Sequence, residues 1–355
     1  MTEITLEHNC VLAATPGCFV VHEPCKSPRI VGVQDYDPAE FDVALEEEEI
    51  IPDMMIDPNS GLLTCINKSS TCRRSFFISV SCSVYDRQRL KIKCGTYRDS
   101  DGKVRSCTTL VIVVQPRRSM DVCYVSPNIE RSEIPYFSND SQLYSDICDV
   151  PNLSSCFEKV PHSFASQYTF PLAGEGPFLC SQGVCGAFTH FFPGTLHALD
   201  FECPVGTPVL SIFDGEVVNI EDSNVVSGIH VSNLHKWNSV MLRLNDGKFI
   251  EYVHIKAKSV SVKIGQKVRR GQKICQSGDV GFCPRPHLHI QLHESDDRTA
   301  PTVPLAFAAD HIVCSSGSIA DEKIATMLAK ENPHSSCIPV AGYYYSSGQV
   351  FEASG

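Results

Sequence analysis

The chain reads as an all-β protein of more than one domain, and three observations carry that reading. Short runs of β-branched and aromatic residues recur between turn signals along most of its length. No stretch shows the three-to-four spacing of a convincing amphipathic helix. Its 355 residues also exceed what one hydrophobic core usually serves.

Residues 1–116 form the first module. Residues 29–33, 75–80 and 107–114 have strand composition, and residues 57–61 and 99–102 supply Asp/Gly turns. That rhythm predicts a β-sandwich-like domain. The order Met55-Ile-Asp-Pro-Asn-Ser-Gly-Leu-Leu-Thr64, then residues 75–80, then a last strand, resembles a cadherin-type or related immunoglobulin-like module. The four glutamates at 46–49 are read as a solvated charged face rather than a calcium site. Residues 117–165, with Pro127, Pro135, Pro151, Cys123, Cys148 and Cys156, are read as a disulfide-rich linker.

Residues 166–310 are predicted to form an antiparallel β-sheet domain. Strand, turn, strand is expected at 208–220 around Asp214-Gly215, and again at 238–254 around Asn245-Asp-Gly247. Gly265 and Gly271 mark tight corners. Leu288, Ile290 and Leu292 alternate with His287, His289 and Gln291, the period of a half-buried strand, so both imidazoles face one cavity. His293 is expected at the rim, and His230 and His235 in solvent. Residues 311–355 are a C-terminal extension.

The formal charge of -11 argues against a nucleic-acid partner, and no apolar run has the roughly 20 residues of a membrane-spanning helix. Eighteen cysteines without a CxxC pair argue against a zinc ribbon and for an oxidising compartment. Asn67, Asn139 and Asn152 begin glycosylation sequons. Together these predict a secreted, disulfide-bonded glycoprotein, or one of the phagosomal or lysosomal lumen. Residues 1–8 lack a basic n-region and apolar h-region, so a signal is expected to have been removed or trimmed away. Cys275 and Cys283 bracket the loop before His287 and are a candidate disulfide, with two buried thiols as the alternative.

Several motifs follow one order: His190; Ala198-Leu-Asp-Phe-Glu-Cys-Pro-Val-Gly-Thr-Pro-Val209; Asp214-Gly-Glu-Val-Val218; Tyr252-Val-His254; Ile264-Gly-Gln-Lys-Val-Arg-Arg-Gly-Gln-Lys-Ile274; Ser277-Gly-Asp-Val-Gly281; His287-Leu-His289. Over about residues 170–308 this order resembles the lysostaphin/LytM-type zinc metallopeptidases. The resemblance implies zinc held by Asp200, His289 and one earlier histidine, with His254 and His287 as catalytic residues around a zinc-activated water. His190 is preferred as that earlier histidine, with His197 as the alternative. An offset of three puts His197 on the opposite strand face from Asp200 unless a bulge intervenes.

The implied activity is endopeptidase cleavage of peptide cross-links in bacterial peptidoglycan. The rival expectation is a catalytically silent, zinc-containing binding or adhesion protein on the same fold.

Overall fold

In the computed structural model, the described residues are 18–22, 54–68, 72–125, 137–145, 168–186, 188–192, 194–297, 300–308, 312–315 and 336–347. The strand expected at 29–33, the acidic run at 46–49 and the sequon at Asn152 lie outside them. Every described regular element is a strand except the single 3-10 turn Val231–Asn233. The chain divides into two compact units, one drawn from residues 15–149 and 229–234, the other including 150–228 and 235–355.

The N-terminal unit carries two sheets over one core. In the first, the long strand Val104–Val114 pairs antiparallel with Cys72–Val80 and Gly95–Arg98 and parallel with Cys18–His22; Cys72–Val80 also pairs with Phe137–Ser145. In the second, Leu62–Asn67 and Arg118–Val125 lie between Met54–Ile56 and Val84–Tyr85. Phe76, Ile78, Leu110 and Ile112 of the first sheet join Leu63, Met120 and Val122 of the second in one buried cluster. That is the two-layer logic of a sandwich. The tight turn at 57–61 is closed by Asp57 Oδ1, which accepts from the N–H groups of Asn59 and Ser60 at 2.7 and 2.9 Å. Gly61 completes it with φ 73°, a conformation glycine adopts without a Cβ clash.

Two expectations about this unit are corrected. Arg118–Val125 and Phe137–Ser145 fall in the stretch read as a linker, yet both are paired strands. Met120 and Val122 alternate inward there, a short pattern outweighed in the sequence by the surrounding prolines. Asn67 is fully buried and its Nδ2 donates to Val114 O at 2.9 Å. The atom that would bear a glycan is therefore inside the fold.

The second unit is built on one long antiparallel sheet. Its strand order is Lys267–Val268, Gly215–Glu221, Ser239–Leu244, Phe249–Val253, His287–His293, Leu199–Glu202, Phe178–Gln182, Tyr344–Ser347, Ile312–Ser315, with Thr302–Val303 also on His287–His293. The sheet runs on into the stretch read as a C-terminal extension. The expected hairpin at 239–253 forms, but the one at 208–220 does not. Pro208–Leu210 pairs instead with Lys273–Gln276, while Gly215–Glu221 pairs with Ser239–Leu244 and Lys267–Val268.

His287–His293 sits centrally in this sheet and is buried on both faces, so the strand expected to be half-buried is not. Leu288, Ile290 and Leu292 enter the hydrophobic core with Phe170, Phe201 and Phe307. Phe170 meets Phe201 edge-on at 5.0 Å between centroids, a geometry worth about 0.5–1.5 kcal/mol beyond burial. Because side chains alternate, Phe201 anchored on the core side turns its neighbour Asp200 to the other side. His293 is fully buried rather than at the rim. His230 is buried as well, its ring nitrogen accepting from Ser232 N–H at 3.1 Å to cap the 3-10 turn. Cys275 and Cys283 are separate buried thiols, the second of the two alternatives open to them, rather than a disulfide.

Candidate metal centre

Asp200 and His289 are cross-strand partners on adjacent strands, and such partners bring their side chains together on one face. His190 arrives from outside the sheet. It ends a turn whose Phe188 and Thr189 N–H groups both donate to Gln182 Oε1, at 2.9 and 3.2 Å. Gln182 is itself the register partner of Asp200 and donates from Nε2 to Asp200 Oδ2 at 2.8 Å. One glutamine therefore fixes both the His190 turn and the carboxylate. Gly186 makes room for it, since a Cβ there would stand 2.1 Å from Gln182 Cγ.

The result is a tight triangle. His190 Nε2 is 3.3 Å from Asp200 Oδ1 and 3.2 Å from His289 Nδ1, and His289 Nδ1 is 2.8 Å from the same oxygen. All three side chains are buried. The outer ring nitrogens have their own acceptors: His190 Nδ1 faces Gly183 O at 3.0 Å, and His289 Nε2 faces Gln291 Oε1 at 2.9 Å. Gln291 Nε2 in turn donates to the buried Glu251 Oε2 at 3.0 Å. With their outer nitrogens protonated toward these acceptors, both rings present a lone pair inward, as metal-ligating imidazoles do. Two imidazoles and a carboxylate with a further position open is the donor set of a catalytic zinc site. The residues fit that ion.

His287 and His254 border the triangle. His287 lies two residues before His289 on the same face, and its Nε2 is 3.7 Å from Asp200 Oδ1. Its Nδ1 donates to Arg285 O at 2.7 Å. His254 gets there differently. Val253 is the register partner of His289 and Tyr252 of Ile290, and Tyr252 is buried, its hydroxyl accepting from Ile212 N–H at 2.9 Å. Strict alternation would send His254 to the core side with Tyr252. Instead the strand ends at Val253 and His254 takes φ 60°, a left-handed conformation unusual for a residue with a Cβ, at a cost of about 1–3 kcal/mol. That twist brings its ring to 4.7 Å from His287 and 5.9 Å from His289, centroid to centroid. Val280 O fixes it by accepting from Nδ1 at 2.7 Å.

Electrostatics separates the two sets. Burial works against the Asp200 carboxylate, but His190, His287 and His289 around it hold its pKa well below the ordinary value. Burial would also lower His289, yet the adjoining Asp200 carboxylate lifts it above the ordinary value. For His254, burial and then the neighbouring imidazoles push the pKa well down. Burial also lowers His287, outweighing the pull of Asp200. The triangle favours positive charge, and the bordering pair favours neutral imidazole.

The remaining histidines stand apart. His197 donates its backbone N–H to Thr302 Oγ1 at 3.0 Å and sets its Nδ1 2.8 Å from Thr302 O; of the two candidates for the earlier histidine, His190 is the one in the triangle. Asp214 and Asp246 accept backbone N–H groups at turns, from Arg270 and Lys248. Sequence reasoning passed over Gln182 and Glu251. A lone Gln or Glu within a strand carries no signal until the strands are paired.

Residues 195–301 match peptidase family M23, a span that includes Asp200, His254, His287 and His289 but leaves out His190. Among curated proteins, an uncharacterized metalloprotease of Buchnera aphidicola is 35% identical over 195 residues, covering 51% of this chain and 44% of its own length. The glycyl-glycine endopeptidase ALE-1 of Staphylococcus capitis is 36% identical over 99 residues, covering 28% of this chain and 24% of its own. The chain thus spans less than half the length of these relatives. The catalytic domain of lysostaphin from Staphylococcus simulans aligns at 28% identity with a TM-score of 0.26, over 41% of this chain and 94% of that domain.

Proposed function

Taking residues 195–301 as a domain of the lysostaphin/LytM-type M23 metallopeptidases, we propose that this chain is a zinc-dependent endopeptidase acting on the peptide cross-links of bacterial peptidoglycan. The observation that carries the proposal is the meeting of His190, Asp200 and His289 at one buried point, with His254 and His287 beside it. The named activities of relatives that match only the peptidase segment supply the substrate class.

His190 Nε2, Asp200 Oδ1 and His289 Nδ1 would hold the ion, with Gln182 and Gln291 keeping the carboxylate and the His289 ring in place. When bound, zinc supplies Lewis acidity, which acidifies a water and polarises a carbonyl. His254 and His287 each donate Nδ1–H to a backbone carbonyl, so each keeps an unprotonated Nε2. A neutral imidazole of this kind takes a proton from attacking water and returns it to the leaving amine. Between those two transfers the same ring, as an imidazolium, can direct that proton toward the developing oxyanion. Their lowered pKa values keep both in the base form near neutral pH.

We place the activity outside the cytosol, secreted or in the phagosomal or lysosomal lumen, because that is where wall peptide is met. With Asn67 buried and Cys275 and Cys283 unbridged, this placement rests on the substrate; fractionation of expressing cells checks it. The function itself is tested by amino-group release from purified peptidoglycan and from soluble glycine- or D-alanine-containing peptides by the zinc-loaded full chain. Release that stops with chelation is expected. Stoichiometric zinc with no release from either substrate would leave the silent binding protein as the account.

A further inference from the structure

A second set of donors stands next to the first. Cys283, His254 and His287 each offer one ligand atom, the three atoms lie within 4.8 Å of one another, and all three side chains are buried. Cys283 Sγ is 3.3 Å from His287 Nδ1. That is close to the ligand-to-ligand spacing of a tetrahedral zinc with Zn–S of about 2.3 Å and Zn–N of about 2.0–2.1 Å. The Arg285 carbonyl, 2.9 Å from Sγ and 2.7 Å from Nδ1, adds an oxygen beside them.

We propose that Cys283, His254 and His287 form a second, inhibitory site for a thiophilic divalent transition ion such as Zn2+ or Co2+. The inference rests on the endopeptidase reading, because it places the ion on the two imidazoles assigned to proton transfer. Occupancy through Nδ1 forces His287 into its other tautomer, with the proton on Nε2. That N–H then points toward Asp200 Oδ1, 3.7 Å away, and the ring no longer offers a base to the reaction. Carboxylate, imidazole and metal in that order is a recurring arrangement at metal sites.

The second site fills after the first. Binding there must break the Sγ–H and Nδ1–H hydrogen bonds to Arg285 O and release the thiol proton. Burial, with Asp279 and Asp200 nearby, has raised the Cys283 pKa well above its ordinary value. The triangle has no thiol proton to lose and no backbone-carbonyl hydrogen bond to break, since its carboxylate is ionised and its outer ring nitrogens keep their acceptors. Soft thiolate favours Zn2+ and Co2+ and leaves Ca2+ and Mg2+ indifferent.

Cobalt titration of the metal-free full chain tests this, read by visible and near-ultraviolet absorption, with wild type, Cys283→Ser and Cys283→Ala in parallel. In wild type the first equivalent is expected to give d–d bands without thiolate-to-cobalt charge transfer. The second equivalent should add the charge-transfer band and reduce peptide hydrolysis more than tenfold from its one-equivalent rate. Both variants should bind the first equivalent, lack the added band and escape the inhibition by excess ion. A charge-transfer band of equal size in both variants, or its absence from wild type at saturation, overturns the proposal. Failure of the first equivalent to bind would instead overturn the metallopeptidase reading beneath it.

Discussion

His287 and His289 stand two residues apart on one strand, face the same cavity and are equally hidden from water, yet their surroundings drive them in opposite directions. His289 has the Asp200 carboxylate at 2.8 Å and a relay through Gln291 to the buried Glu251 behind it, and it gains affinity for positive charge. His287 is held by a backbone carbonyl and, with His254, is kept neutral. His190, the third member of the ligand set, also has a backbone carbonyl behind it, yet its Nε2 stands 3.3 Å from Asp200 Oδ1 against 3.7 Å for His287. What separates metal binding from proton transfer here is how closely each inward nitrogen stands to the Asp200 carboxylate: 2.8 Å for His289, 3.3 Å for His190 and 3.7 Å for His287.

The largest break in that contrast is Asp200→Ala. It removes the one oxygen that His190 and His289 share, so zinc content should fall from one equivalent toward none. Hydrolysis should fall with it by more than about 10³-fold, since the metal supplies several kcal/mol of transition-state stabilisation. Elemental analysis alongside peptide assays reads both.

His287→Ala cuts on the other side. The expected loss is about 10²- to 10⁴-fold in kcat, the usual range for a positioned acid or base, while one zinc per chain remains. Zinc lost together with activity would erase the division between the two sets.

Gln291→Ala sharpens the role of the relay. Without the Oε1 acceptor, His289 no longer has its Nε2 proton fixed, and zinc affinity should weaken by about 10- to 100-fold. Competition with a chelator of known affinity measures this, and hydrolysis at saturating zinc should change far less than in His287→Ala.

The smallest effect is a difference in titration in the metal-free protein. By imidazole NMR, His289 should take its proton above the ordinary value near 6.5, and His254 and His287 below it. The stability consequences have opposite signs. Depressed His254 and His287 contribute stability that is present above about pH 6.5 and lost as pH falls toward their folded values. Raised His289 contributes stability that is present below about 6.5 and lost as pH rises through its folded value. Melting temperatures of His287→Ala and wild type across pH 5–8 would show whether the acid-side loss shrinks in the variant.

Much of this arrangement was written locally. The alternation around His287 and His289 placed both on one face, and the strand of Asp200 needed a partner for its carboxylate. Asn245-Asp-Gly247 marked its hairpin. What the sequence hid depends on pairing between distant segments. The hairpin expected at 208–220 failed because Lys273–Gln276 claims Pro208–Leu210. The half-buried strand proved buried on both faces, and His293 with it, since neighbouring strands and loops cover the polar side too. His254 reaches the site through one left-handed residue that no periodicity announces. Gln182 matters only because its strand lies against that of Asp200.

The most direct test of the division is zinc K-edge absorption of the full chain loaded with one equivalent. A first shell of nitrogen and oxygen alone, at about 2.0–2.2 Å and with imidazole scattering from two rings, is expected. A sulfur scatterer near 2.3 Å at one equivalent would contradict it, placing the first ion on cysteine rather than in the triangle of His190, Asp200 and His289.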